Sequence, residues 1–276
     1  MSVAKIYVVN AFSGHPFSGN PAGVMLLEED TDSDSLKRIV AESRLPEVSF
    51  IRKDEISSQY RIRWFTSQTE LDICGHGTLS AAHIVFTLCE PDVNEITFLT
   101  GDKTLHVSKE ANKYRMMLPA IGMVACNDPV EIAQVEAAVT PAQKIYKGRS
   151  YLLWLNSEEE VAGFIPERDK LLTLPLPGVI IAALGNTTDY VCRYFAPQKG
   201  IDEDPVTGTA HSTVASLLSR ERSQTKFSAS QLSQRGGEIS VEVTGNNVAL
   251  IGQAYTAMEI NIFLSGLIRH PWQIHY

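Results

Sequence analysis

The chain has 276 residues, 44% hydrophobic and 20% charged, the balance of a soluble globular protein that can bury one large or two medium cores. A formal net charge of −8 argues against a general nucleic-acid binder, which would normally be basic. No apolar run reaches the length of a membrane span, the opening MSVAKIYVVN reads as a strand rather than a signal peptide, and Cys74, Cys89, Cys126 and Cys192 have neither metal spacing nor a compact disulfide framework. These features point to a reducing, cytoplasmic setting.

Residues 5–12 open the chain as a strand. Residues 14–23, GHPFSGNPAG, are too rich in Gly, Pro and Asn for anything but a loop, and a strand resumes at 24–27. Asp32 and Ser33 are cap candidates for a helix running to Ser43, with Leu36, Ile39 and Val40 on its inner face. Pro46 turns Leu45 away from helical geometry, and residues 47–51 are extended. Tyr60, Ile62 and Trp64 alternate with Arg61 and Arg63 at strand spacing. That strand delivers the chain to LDICGHGTLSAAH at 71–83, a tight turn opening a helix over about 77–89. Strands at 96–99, 104–107 and 114–118 follow, with Gly101 and Asp102 as a hairpin turn.

Residues 119–129 form the expected domain boundary, and after them the order begins again. A helix near 131–139 is followed by strands at 143–146 and 151–155, short helices at 158–164 and 167–172, and strands at 179–183 and 190–195. A second glycine turn, DPVTGTAHSTVAS at 204–216, opens a helix running to Arg220. Ile239, Val241 and Val243 mark a half-exposed strand, Asn246 and Asn247 a hairpin turn, and 248–263 further strand. Residues 265–276 are too short and mixed to assign.

The two turns echo each other, with Cys74 aligning on Thr207, Gly75 on Gly208 and His76 on Thr209. Each would aim free N–H groups and a positive dipole end at an anion. The helices that follow are rich in small residues and poorly amphipathic, which suits enclosed helices. The expected fold is therefore α+β, with two pseudo-symmetric halves at 1–120 and 130–264, each a sheet wrapped around a central helix. The tail at 265–276 has no assigned place. The two turns are expected to face one interdomain cleft holding a small anionic substrate.

Glu47 lies between apolar neighbours, so desolvation could raise its pKa toward general acid/base use; the leading reading from local sequence alone is a solvated strand start. His76, between two glycines, could donate to a substrate or shuttle a proton, or simply bond turn backbone. Asp204 could orient a substrate group or be an acidic loop residue, and Thr209 could bind ligand or cap its helix. Asn20 could bind ligand or, the leading reading from local sequence, close a turn. Cys74 sits where a thiol can be acidified. Its counterpart Thr207 is far too weak an acid, so a symmetric two-thiol racemisation is not available. The glycine pattern lacks a dinucleotide fingerprint or a Walker lysine, and His15, His76, His83 and His211 are too scattered for a metal motif. No cofactor or metal is expected.

Four ordered motifs then become specific. FSGNPAGV at 17–24, PEVSF at 46–50, ELDICGHGT at 70–78 and DEDPVTGTAH at 202–211, with RGGE at 235–238, together resemble the phenazine-biosynthesis PhzF-like family. The resemblance spans nearly the whole chain. It implies a diaminopimelate-epimerase-like fold, commonly in homodimers, and cofactor-free isomerisation. The glutamate matching Glu47 would move a proton within an unsaturated cyclic amino acid. The residues matching His76, Asp204 and Thr209 would bind and polarise that substrate, helped by N–H groups matching Gly75 and Gly208. Thr209 stands where the phenazine enzyme has serine. Two alternatives accompany this reading: a ligand-binding or interaction protein without catalysis, and a racemase, epimerase or dehydratase using Cys74.

Overall fold

A computed structural model of the chain describes residues 2–54 and 59–264. The chain forms two compact units: one of the chain up to Phe17, Pro21–Met116 and the chain from Gly252, the other of Ser18–Asn20 and Met117–Ile251.

In the first unit the strand Asn20–Leu26 pairs in parallel with Val48–Lys53. Parallel neighbours need a crossover, and helix α1, Ser33–Ser43, supplies it. Asp32 caps α1 by accepting from Ser35 N–H at 2.9 Å, and Arg44 ends it in the left-handed region at φ 59°. Leu36, Ile39 and Val40 bury against Met25, Val48, Phe50 and Phe65, the face expected from their spacing. Val48–Lys53 pairs antiparallel with Tyr60–Phe65, which pairs in parallel with Glu95–Thr100. The second crossover carries helix α2, Gly75–Ile84. Every α2 residue from Gly77 to Ile84 is buried, as expected of a helix without a polar face. It continues as one wide turn, Val85–Cys89, in which Glu90 N–H reaches Val85 O at 2.7 Å.

The second unit repeats this order. After helix α3, Pro129–Ala138, the strand Tyr151–Trp154 pairs in parallel with Val179–Ala183, with α4, Glu158–Gly163, and α5, Arg168–Leu171, between them. Val179–Ala183 pairs antiparallel with Tyr190–Ala196, which pairs in parallel with Lys226–Gln231 across helix α6, Gly208–Arg222. Gly208 and the run Ala210–Leu218 are buried. Each half is thus α+β with a sheet around one enclosed helix, the diaminopimelate-epimerase-like arrangement.

Several elements depart from expectation. The loop at 14–23 gives way to strand already at Asn20, because the parallel ladder from Gly23 fixes this stretch despite Pro21. Lys226–Gln231 is a strand that sequence reading missed; its inward positions are Phe227, Ala229 and Gln231, too mixed to show alternation. The final strand, Ala254–Leu264, belongs to the first unit rather than the second, because it pairs antiparallel with Ser2–Ala11 over ten positions of that strand. The tail at 265–276 lies outside the described residues.

Candidate active site

Glu47 directly precedes the strand Val48–Lys53, and its carbonyl accepts from Gly23 N–H at 3.0 Å, so the parallel ladder fixes its backbone. Its side chain points inward and is only 8% exposed, which sets aside the solvated reading. The start of α2 supplies its partners. Nε2 of His76 lies 2.9 Å from Glu47 Oε1, and the Cys74 thiol donates to the same oxygen at 2.7 Å. Cys74 is the N-cap of α2: its sulfur accepts from Gly77 N–H at 3.3 Å and lies 3.6 Å from His76 Nδ1. Gly77 lets the cluster close tightly. A Cβ there would stand 2.7 Å from Ser49 Oγ, 2.9 Å from Glu47 Oε1 and 3.0 Å from Cys74 Sγ.

Ionisation of this cluster differs from the simple desolvation argument. Burial does push the Glu47 carboxyl up, but the His76 charge and the hydrogen bonds from His76 and Cys74 outweigh it, and its pKa lies below the usual carboxylate value. Burial likewise opposes a charged His76, but its contacts with the Cys74 sulfur and with Glu47, whose carboxylate carries the negative charge at neutral pH, raise the imidazole well above its usual range. The Cys74 thiol is pushed up to about 12, first by burial and then by the Glu47 charge. The neutral-pH state is therefore a carboxylate paired with an imidazolium, beside an intact thiol. The thiol is thus held protonated by burial and by the Glu47 charge, the opposite of the acidification that its helix-start position suggested.

Glu47, Cys74 and His76 also bring three potential metal donors within 4.8 Å of one another. Sequence spacing of the histidines did not reveal this grouping, because only one histidine takes part. The donors are hydrogen-bonded to each other, and a metal would have to displace the protons between them.

The second unit builds a different set. Both Nδ2 hydrogens of Asn20 are committed, to Asp204 Oδ1 and to Val206 O, each at 2.8 Å. Both partners are acceptors, which fixes the amide orientation. The local-turn reading of Asn20 does not hold: the side chain reaches residues far along the chain. Asp204 Oδ2 accepts from Thr207 Oγ1 at 2.6 Å. Gln231, 1% exposed, accepts from Thr207 N–H at 2.7 Å and donates to Asp204 O at 2.6 Å. Arg235 donates to the carbonyls of Gly19 and Ser18 at 2.9 and 3.3 Å, and Gly19 N–H donates to Gly236 O at 2.8 Å. The RGGE segment therefore anchors the short stretch that carries Asn20.

The cap position of α6 is Thr207, not Thr209, and its hydroxyl is spent on Asp204. Thr209 is exposed in the first turn of α6, and Gly208 is buried there, where a Cβ would meet Leu250 Cδ1 at 2.7 Å. The structure thus groups Glu47, Cys74, Gly75 and His76 within one unit and Asn20, Asp204, Gly208 and Thr209 within the other. Sequence reasoning missed Gln231, whose distance from the glycine turn hides its role, and the capping use of Cys74. His83 and His211 are structural: His83 Nδ1 contacts Tyr114 Oη and His211 Nδ1 contacts Tyr190 Oη, each at 2.9 Å.

Comparison with known proteins places this arrangement. A family model described as phenazine biosynthesis-like protein matches residues 9–260. An uncharacterized isomerase of Pseudomonas aeruginosa is 34% identical over 261 residues, covering 95% of this chain and 99% of that protein. Among solved structures, a phenazine biosynthesis PhzF-family protein of Enterococcus faecalis superposes with a TM-score of 0.90 at 33% identity, covering 95% of this chain and 100% of that one. A phenazine biosynthesis PhzC/PhzF protein of Clostridium difficile gives 0.87 at 35% identity with the same coverage.

Proposed function

This chain belongs to the phenazine biosynthesis-like protein family, and from that premise we propose that it is a cofactor-independent isomerase in which Glu47 is a single, recycling acid/base. The observation that carries the proposal is the Glu47–His76 contact of 2.9 Å, buried at the start of α2. The carboxylate is already ionised at neutral pH and so is in the form that accepts a proton. It removes a proton from a carbon next to an unsaturated or carboxyl-bearing centre, and the electron pair left behind delocalises into that system. The same oxygen then returns the proton to another carbon on the same face. No atom is gained or lost, and the double bond moves.

His76 explains why the intermediate is tolerated. While Glu47 is neutral, the imidazolium beside it is the uncompensated charge, and it faces a substrate that has just become more negative. A fixed cation in a water-poor site stabilises such charge without reorganising. The N–H groups opening α2 add to this in the same direction. Cys74 orients Glu47 through its thiol and caps the helix; it is not the base. We further propose that Asp204 and Thr209 bind the substrate's polar groups, with Asn20, Thr207 and Gln231 holding Asp204 in place.

The test is deuterium incorporation from D2O into small unsaturated cyclic carboxylates. Wild-type protein should exchange a carbon-bound proton and shift the double bond, and Glu47→Gln should not. Ligand binding without exchange in the wild type would instead favour a non-catalytic binding protein.

A further inference from the structure

The second unit contains a small cavity beside the first turn of α6. Its volume is about 120 Å³, and its lining includes Arg149, Ser150, Ile180, Tyr194, Lys199 and Thr209. That is well below the roughly 300 Å³ at which ordinary small-molecule pockets begin, so it suits one chemical group of a ligand rather than a whole ligand.

Its charge is unusual for this protein. The chain carries a net charge of −8, yet the cavity lining has two cations and no carboxylate. Among the described residues, neither Arg149 nor Lys199 makes an ion pair. The acids nearest Lys199 in the chain are already committed. Asp202 pairs with Arg168 at 2.9 Å, Glu203 with Arg193 at 2.7 Å, and Asp204 accepts from Asn20 and Thr207. Two cations at one cavity, with Asp202 and Glu203 paired to other arginines, are a recognition surface for an oxyanion.

Two turns place both residues, which are exposed, at the edge of the cavity. Arg149 sits in the tight turn joining Lys144–Lys147 to Tyr151–Trp154, where Gly148 N–H donates to Ser150 O at 3.1 Å. Lys199 closes the short turn Pro197–Lys199, which ends at Gly200 with φ 77°. Between them, a Cβ on Gly178 would meet Ser150 Oγ at 2.4 Å and Tyr194 Oη at 2.5 Å, so glycine there keeps the two hydroxyls side by side. Ile180 supplies an apolar wall. Thr209, proposed above to bind substrate, lines the same cavity.

We propose that this cavity is an oxyanion subsite, and that the substrate therefore carries a second carboxylate or phosphate group received by Arg149 and Lys199. The proposal rests on the reading of Thr209 as a substrate-binding residue and narrows the substrate class to compounds with two anionic groups. It does not depend on Glu47 being the base.

The experiment compares benzoate with benzene-1,3-dicarboxylate, a flat ring with one or two carboxylates, by calorimetric titration and by amide chemical-shift changes at Ser150 and Thr209. The wild type should bind the dicarboxylate on the order of tenfold more tightly, the scale of a hydrogen bond to a charged group. Arg149→Ala with Lys199→Ala should abolish that preference, whereas Arg149→Lys with Lys199→Arg should retain most of it. Glu47→Gln should keep the preference while losing proton exchange, which separates failure of this inference from failure of the catalytic one. Equal binding of the two compounds by the wild type, or an undiminished preference in the double alanine variant, overturns the assignment.

Discussion

Gly77→Ala tests how tightly the acid/base cluster is built. The added methyl would sit 2.7 Å from Ser49 Oγ, 2.9 Å from Glu47 Oε1 and 3.0 Å from Cys74 Sγ. Ser49 is short and fully buried, and Cys74 is held as the helix cap. Glu47 offers the end of a longer side chain, so the carboxylate is the group that gives way. Overpacking of this kind costs about 1–3 kcal/mol, offset by about 1 kcal/mol from replacing glycine in a helix. Net destabilisation should therefore be about 0–2 kcal/mol, a Tm loss of no more than ~8 °C. The functional loss should be larger. A carboxylate pushed off its 2.9 Å contact with His76 is misplaced for proton transfer, and an error approaching 1 Å can cost about a hundredfold in rate. The assay pairs thermal unfolding with NMR of the His76 ring across pH. In the wild type His76 stays protonated through neutral pH because Glu47 is beside it, and in Gly77→Ala its deprotonation should move to lower pH. A variant with wild-type His76 titration and wild-type exchange on a substrate would refute the reasoning.

Cys74→Ser should keep proton exchange and most of the stability, since serine also caps a helix, whereas Cys74→Ala should lose about 1 kcal/mol in thermal unfolding. Gln231→Ala leaves Thr207 N–H and Asp204 O without their partner and should cost roughly 1–3 kcal/mol in denaturant unfolding, more than truncating an exposed glutamine. Acid should destabilise the fold before any carboxylate titrates. Burial lowers His83 to about 4 and His211 to about 3, so below pH 6.5 the unfolded chain takes up protons that the native chain refuses, and Tm should fall between about pH 6.5 and 4. Glu47, with a depressed pKa, contributes stability that is present above the usual carboxylate value and lost only as pH falls through its lowered one. His76, with a raised pKa, contributes stability present below 6.5 and lost as pH climbs through its raised value, so Tm should also fall on the alkaline side, less so in Glu47→Gln.

Much of the fold was legible because its signals are local. Small residues over Gly77–Ile84 announce a helix that can be enclosed, and the alternation of Tyr60, Ile62 and Trp64 announces a strand. The doubled glycine turn announced two related halves. What was hidden depends on distant partners. Lys226–Gln231 has no clean alternation because one of its inward residues, Gln231, is polar and serves Thr207 and Asp204. The last strand joins the first unit through pairing with Ser2–Ala11, which no local pattern encodes. In the site, the apolar neighbours of Glu47 raised burial only as the lesser reading beside a solvated strand start, and the desolvation argument gave the wrong sign for its ionisation. The sign is set by His76, which lies close in space but not in the adjacent sequence. Cys74 looked like a reactive thiol from its place at a helix start, yet burial and the Glu47 charge keep it protonated.

The most direct measurement follows one proton. Small unsaturated cyclic carboxylates are screened for stabilisation of the folded protein, and the one that binds is incubated in D2O with wild type, Glu47→Gln and Cys74→Ser. The account predicts deuterium at a substrate carbon with wild type and Cys74→Ser, and a rate lower by about 10²–10⁴ with Glu47→Gln, the range of a lost general base. Wild-type exchange by Glu47→Gln, or none by a folded Cys74→Ser, would contradict it.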